Sequence, residues 1–358
     1  MKKIDLYIIK RYLTTFFVML LLFIPIGIMV DIAEKVDKFK ENEVPLSEII
    51  SYYVDFTWYF GNLLFPIFLF LAVIWFTSKL ANNTEIIAIL SSGISFTRFL
   101  RPYLVSALII AVFSFFSGMY IVPSSNKRYN EFQFKHLNKK KDDRKKNNLY
   151  KQINDNEFIY VSNYDPIRLR GLNFTLEHFE KNKLKFKIFA ESIRWVENDS
   201  FFRLINYKRR TFLSDNENYL VQNRKDTLFD FEISDLSPLN YKAETLNFKD
   251  LNDFIDSEIK SGSTLINTHL LVRHKRWSLP LSAFILTIIG VSVASFKRRG
   301  GMGLNLAFGI TLGFIFIFFD KIFGVLVTKS TLSPLIGAWF PIFLFGVLAI
   351  FLINYAKR

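Results

Sequence analysis

The chain has 358 residues, 51% of them hydrophobic and 17% aromatic, yet it carries a formal net charge of +14. That mixture points to membrane spans joined to a charged soluble part. With no cysteine, a disulfide framework and a thiolate metal site are both excluded. The basic excess does not point to nucleic acid, because Lys and Arg flank the apolar runs or alternate along short strands, without RNP-like aromatic motifs.

Crossing about 30 Å of hydrocarbon takes roughly 20 apolar residues. Six uncharged runs qualify: Tyr12 to Val30, Phe56 to Ser78, Pro102 to Asn126, Trp277 to Phe296, Gly300 to Phe319 and Ser330 to Ala356. The first follows Lys2, Lys3, Lys10 and Arg11 like a signal peptide. It is too long for an h-region and lacks a small-residue cleavage site, so it is expected to stay as an anchor.

Between the second and third runs, "NNTEIIAILSSGISFTRFLRP" predicts a short helix over 82–93. Asn82 and Glu85 are spaced as a capping box, and Gly93 is a natural stop. Ile86, Ile89, Leu90 and Gly93 share one face, with Glu85, Ala88 and Ser92 nearer the other. Such a helix either rests on lipid as an ordinary amphipathic segment or offers a face to a partner.

Residues 124–268 hold no long apolar run but many short alternating segments, such as "FIYVS" at Phe158 and "LKFKI" at Leu184. "HFEKNKLKF" and "WVENDSFFRL" read as hairpins turning at Asn182 and near Asn198 to Ser200. An antiparallel β sandwich or jelly roll is expected here. In "DLNDFIDSEIK", Leu251, Phe254, Ile255 and Ile259 recur at helical spacing, and the helix stops at Gly262. "KKKDDRKKNN" at 139–148 reads as a solvated loop. The chain therefore divides into 1–123 with three spans, 124–268 as the β-rich insert, and 269–358 with three more.

Orientation follows the cations of the short loops. One side holds twelve: Lys2, Lys3, Lys10, Arg11, Lys79, Arg98, Arg101, Lys297, Arg298, Arg299, Lys357 and Arg358. The other holds five: Lys35, Lys38, Lys40, Lys321 and Lys329. Both termini are thus expected in the cytoplasm and the insert in the periplasm, although Arg273, Lys275 and Arg276 lie at the outer mouth of the fourth span.

No catalytic constellation emerges. His136, His178, His269 and His274 share no metal-ligand spacing and read as surface residues. "RRGGMGLN" at Arg298 lacks the Lys-Ser/Thr of a phosphate loop and reads as a turn between spans. Every run is free of ionisable residues, so energy for any transport comes from outside the chain. At the outer ends, Lys35, Lys38, Lys40, Lys127, Arg128, Arg273, Arg276 and Lys321 form a cationic ring. Singly, each is an ordinary cation snorkelling to membrane lipid phosphates; together they suit an anionic head group.

The order of parts resembles the LptF/LptG family of lipopolysaccharide export permeases. The resemblance rests on "YIIKRYLTTFF", "TEIIAILSSGISFTRFLRP", "IVPSSNKR", "RHKRWSLPLSAFILTIIGVSV" and "RRGGMGLNLAFGI". It implies a polytopic α-helical protein of six spans with a jelly-roll-like periplasmic insert in the bacterial inner membrane. It implies that the short helix docks on an LptB-like ATPase through Glu85, Ala88, Gly93, Ser95 and Arg98, ATP being used by that partner and the chain needing no cofactor or metal. It implies as further partners a second LptF/LptG-type permease and an LptC-like bridge, with lipopolysaccharide passing laterally between spans one and five. The sequence leans to LptG without separating it from LptF, and "THLLVRHKRW" lacks the acid often found before the fourth-span Arg. Two other readings stay open at this level: a mechanotransmission-type ABC permease, against which six spans argue, and a membrane-anchored enzyme with a catalytic insert.

Overall fold

The computed structural model describes residues 3–137, 146–165, 168–196, 201–212, 216–231, 241–263, 265–295 and 301–356. The chain forms two compact units: Met1–Leu137 with Ala243–Leu251 and Asn267–Arg358, and Asn138–Lys242 with Asn252–Ile266.

The first unit is a helical bundle. Each apolar run becomes a helix, because a backbone in lipid must satisfy its own hydrogen bonds. Helices α1 (Lys3–Glu41) and α2 (Leu46–Asn82) are followed by short α3 (Glu85–Ser91) and by α4 (Phe96–Phe116). Through π turns at Ser117–Ile121 and Gln133–Leu137, α4 and α5 (Val122–Phe132) join into one helix from Phe96 to Leu137. The third span therefore outlasts its apolar run, and the insert's first strand begins only at Lys146. After the insert come α6 (Lys242–Thr245), α7 (Phe248–Lys260), α8 (Ile266–Ala294), α9 (Gly301–Thr328) and α10 (Pro334–Ala356). Six of these helices are long and apolar enough to cross a membrane. Because successive spans alternate in direction, the N-terminus, α3 and the end of α10 share one end of the bundle, called the near end; the insert leaves from the far end.

Without a hydrophobic drive between lipid-immersed helices, close packing needs small residues at the crossings. Helix α2 supplies bulk, with Phe70, Val73 and Ile74 all buried. Its neighbours supply space: a Cβ on Gly290 of α8 would strike Val73, and one on Gly309 of α9 would strike Ile74. Two polar pins cross the same core. The Tyr12 and Thr287 hydroxyls are bonded at 2.8 Å, and Thr77 donates to the Tyr103 hydroxyl at 3.2 Å.

The second unit is a six-stranded antiparallel sheet: β1 (Lys146–Asn154), β2 (Glu157–Asp165), β3 (Arg170–Glu180), β4 (Lys183–Val196), β5 (Phe201–Phe212) and β6 (Glu217–Thr227). The antiparallel expectation holds. The described strands neighbour one another in chain order, an up-and-down arrangement rather than the crossing connections of a jelly roll. The hairpin at Asn182 forms as read: Glu180 faces Lys183, and Lys181 and Asn182 both take positive φ, 49° and 60°, as a type I′ turn requires. The second hairpin pairs Val196 with Phe201, its tip lying outside the described residues. Val161, Phe174, Ala190, Ile193 and Leu204 form the sheet's core. On the open face Arg224 and Arg203 hold the Asp226 carboxyl down at about 2. The helix read from "DLNDFIDSEIK" is present, with Leu251 and Ile255 fully buried and Gly262 at φ 63°, while Ile259 stays exposed. Of the expected charged loop 139–148, residues 146–148 belong instead to β1, and 139–145 lie outside the described residues. Likewise the glycine-rich "GMGLN" opens α9 rather than forming a turn, with 298–300 outside the described residues.

The glycine crossings give a direct test. Gly290→Leu is expected to destabilise the detergent-solubilised protein by about 1–3 kcal/mol, as overpacked cores do. Gly303→Ala, whose added carbon meets nothing within 4 Å, serves as the neutral control in the same thermal unfolding series.

Candidate functional site

Three features of the bundle combine charge with accessible surface: the short helix at the near end, a charged girdle at the far end, and an apolar cavity between them.

At the near end the expected capping box does not form. Helix α2 propagates through Asn82, so that residue is itself helical, and α3 is only the seven residues Glu85–Ser91. Thr84 starts it in the left-handed region at φ 62°, with no side-chain cap. Glu85 is held otherwise, accepting from Asn83 Nδ2 at 3.1 Å and from the Tyr7 hydroxyl at 3.4 Å. Ile86 is buried and Ile89 and Leu90 pack on the core, leaving Ile87, Ala88 and Ser91 facing outward. Gly93 then reverses the chain at φ 84°. Ser95 caps α4 by accepting from the Arg98 amide at 3.3 Å, and the Arg98 guanidinium pairs with Asp5 at 2.6 Å. The structure thus gathers Glu85, Ala88, Gly93, Ser95 and Arg98 into one patch, with Glu85 and Arg98 both tied to α1.

At the far end the eight cations divide into two groups. Lys35 donates to Asp31 and, at 2.7 Å, to the Tyr52 hydroxyl; Tyr52 and Tyr53 each donate to Asp31 at 3.2 Å. Arg128 grips Asp55 through Nε at 3.1 and 3.0 Å. Arg276 is buried and donates to the Ala243 and Leu246 carbonyls at 3.0 and 2.6 Å. These three are structural ties. Lys38, Lys40, Lys127 and Lys321 are exposed and Arg273 is half-buried. Helix α9 runs on past Asp320 and Lys321 to Thr328, and Asp320 pairs with Lys275 at 2.8 Å. Nor are all histidines superficial: His136 is buried with Nε2 2.7 Å from Glu48, and His269 is 1% exposed. The acids Asp5, Glu48 and Asp55 carry no sequence signal, their partners lying 73 or more positions away.

The cavity lies between α1, α2 and α9, the first, second and fifth spans, and measures about 630 Å³. Phe23, Ile26, Phe60, Leu64, Phe68 and Phe314 line it, and Asp31 and Glu34 stand at its far end. Gly27 of α1 allows the approach of Phe60, whose ring a Cβ would meet. Among the described residues no group of three His, Asp or Glu could hold a metal.

Six spans, a six-stranded antiparallel insert after the third, and an apolar cavity opening between α1 and α9 define a polytopic membrane protein of the permease class. The chain belongs to the lipopolysaccharide export system permease LptF/LptG family, whose profile matches residues 6–355. No curated protein sequence matches it.

The Arg128–Asp55 pair is testable by a double-mutant cycle. Asp55 is 3% exposed and the Arg128 side chain 55%, so Arg128→Ala unpairs the carboxylate while opening it to solvent and is expected to cost about 1–3 kcal/mol. Adding Asp55→Asn should restore most of it, leaving a coupling energy above about 1 kcal/mol in thermal unfolding.

Proposed function

We propose that this chain is one permease half of an ATP-driven exporter that takes lipopolysaccharide laterally from the inner membrane between α1 and α9. It passes the lipid to its own periplasmic sheet and on to an LptC-like bridge. A second LptF/LptG-type subunit completes the cavity, and an LptB-like ATPase docks on α3 from the cytoplasm, where both termini lie.

The observation that carries this reading is the cavity between the first, second and fifth spans, apolar along its length up to Asp31 and Glu34 at its far end. An apolar wall spares the acyl chains, once they leave the bilayer, the cost of about 25 cal/mol per Å² that exposure to water would bring. Phosphates on a glycolipid backbone call for cations, which the exposed Lys38 and Lys40 of α1 offer about one to two helical turns beyond Glu34. For the motor side, α3 presents Ile87 and Ala88 outward while its other face is anchored, and Glu85 and Arg98 connect it to Tyr7 and Asp5 at the foot of α1. A push on α3 would therefore reach the helix that borders the cavity.

Two experiments test it. The purified chain is expected to show no ATP hydrolysis alone and to gain it with an LptB-like subunit, while Glu85→Lys cuts lipid-coupled turnover at least tenfold with normal thermal stability; unchanged coupled turnover rejects the α3 docking. Lys38→Glu with Lys40→Glu should lower photo-crosslinking of lipopolysaccharide to the cavity by a similar factor. Unaltered capture by that variant would place recognition on the aromatic walls instead.

A further inference from the structure

A second opening lies elsewhere on the bundle. It is a crevice of about 430 Å³ between α2, the joined α4–α5 helix, α8 and α9. Its α2 wall includes Asn62 and Pro66, each about 200° round the helix from Leu64, a residue of the first cavity. The two spaces thus use different faces of the same helix.

Its defining residue is Arg276. The residue is 9% exposed, and Nη2 is satisfied by two backbone carbonyls. Nη1 is buried and has no hydrogen-bond partner among the described residues. A charged donor left unsatisfied in a buried site is costly, which is why such groups are normally paired. Around it, Lys275 and Lys321 line the crevice together with two acids, Glu244 and Asp320. Asp320 is matched by Lys275 at 2.8 Å. Glu244, accepting from Asn126 at 3.2 Å, offsets one further cation. Three cations against two carboxylates leave a surplus of one positive charge.

The remaining wall is apolar, with Leu63, Pro66, Leu279, Phe316 and Ile342. Depth matters too. Trp277, beside Arg276, is 46% exposed at the start of the eighth helix's apolar run, where amphipathic rings mark the head-group level of a bilayer. A free anion would leave the apolar wall wet, and a zwitterionic lipid, though it carries the same phosphodiester, would bring a further cation into a site already one positive charge in surplus.

We propose that this crevice holds one monoanionic phospholipid. Its phosphodiester accepts from Arg276 Nη1 with Lys321 beside it, and an acyl chain runs along Leu279 and Phe316. Arginine suits a phosphate, offering directed donors to its oxygens. The lipid would be a resident part of the fold, on a different wall of α2 from the export cavity, so the inference does not rest on the transport reading.

The test counts lipids on the full-length chain by native mass spectrometry after exchange into detergent with defined additives. Phosphatidylglycerol is expected to be retained one per chain, at least tenfold more strongly than phosphatidylcholine. Arg276→Gln should abolish that preference, but it also releases two backbone carbonyls and can fail to fold. The decisive variant is therefore Gly118→Leu. Gly118 lines the crevice, an added Cβ there meets nothing within 4 Å, and leucine suits a helix better than glycine. It should leave thermal stability without added lipid undiminished while lowering phosphatidylglycerol retention at least tenfold. Equal retention of the two lipids, or undiminished retention in Gly118→Leu, overturns the proposal. So does displacement by inorganic phosphate, which would make the ligand a free anion. One-for-one displacement by lipopolysaccharide overturns it as well, by making the crevice part of the export path.

Discussion

The bundle depends on how closely α8 and α9 can approach α2. Lipid tails are as apolar as leucine, so nothing like the hydrophobic effect presses these helices together; contact area and a few polar bonds must do it. Glycines 290 and 309 give Val73 and Ile74 their places, and the resulting fit fixes α2 as the shared wall of both openings. The hydroxyl pair of Tyr12 and Thr287 then carries the arrangement across to α1. Both the cavity toward α1 and the crevice toward α8 inherit their widths from this one set of crossings.

Charge is distributed by a second rule. Where the helices leave the apolar zone, carboxylates meet cations: Asp31 with Lys35 one turn on in α1 and, between helices, Asp55 with Arg128, Asp320 with Lys275 and Asp5 with Arg98. Such pairs set helix rotation more than they add stability. What remains uncommitted, on Lys38 and Lys40, is chemically available to a ligand. A ring of eight similar cations in the sequence is thus two populations in space, distinguished by whether an acid or, for Arg276, a pair of backbone carbonyls holds them.

Much of this was legible in the sequence because it depends on period and run length. Six apolar runs became six spans, and Lys181-Asn182 made its turn because Asn tolerates positive φ. Helix α7 appeared where Leu251 and Ile255 predicted it. What was hidden depends on partners distant in the chain. The third span looked finished near Asn126, since "KRYNEFQFKHL" is polar, yet Tyr129 and Phe132 stack on Tyr52 at 5.3 and 4.5 Å between ring centroids and carry the helix on to Leu137. The capping box at Asn82 failed for a local reason: a helix already running from Leu46 continues through a residue that could have started a new one. In the patch at α3, the residue choices were readable, but the restraint of Glu85 by Tyr7 was not. The up-and-down strand order was equally out of reach, since alternation reports faces and not neighbours.

The third span contains two wide turns, and the first, Ser117–Ile121, ends two residues before Pro123. A proline inside a regular helix lacks an amide hydrogen and collides with the carbonyl four positions back; a π turn absorbs that mismatch by taking in one additional residue. One residue is about 100° of helix. Everything beyond Ile121 is therefore rotated in phase relative to everything before Ser117, so that Tyr103 can face Tyr12 at one end while Arg128 faces Asp55 at the other. The two ends of this span keep independent time: a change in length confined to 117–121 would turn the far segment like the hand of a clock without disturbing the near one.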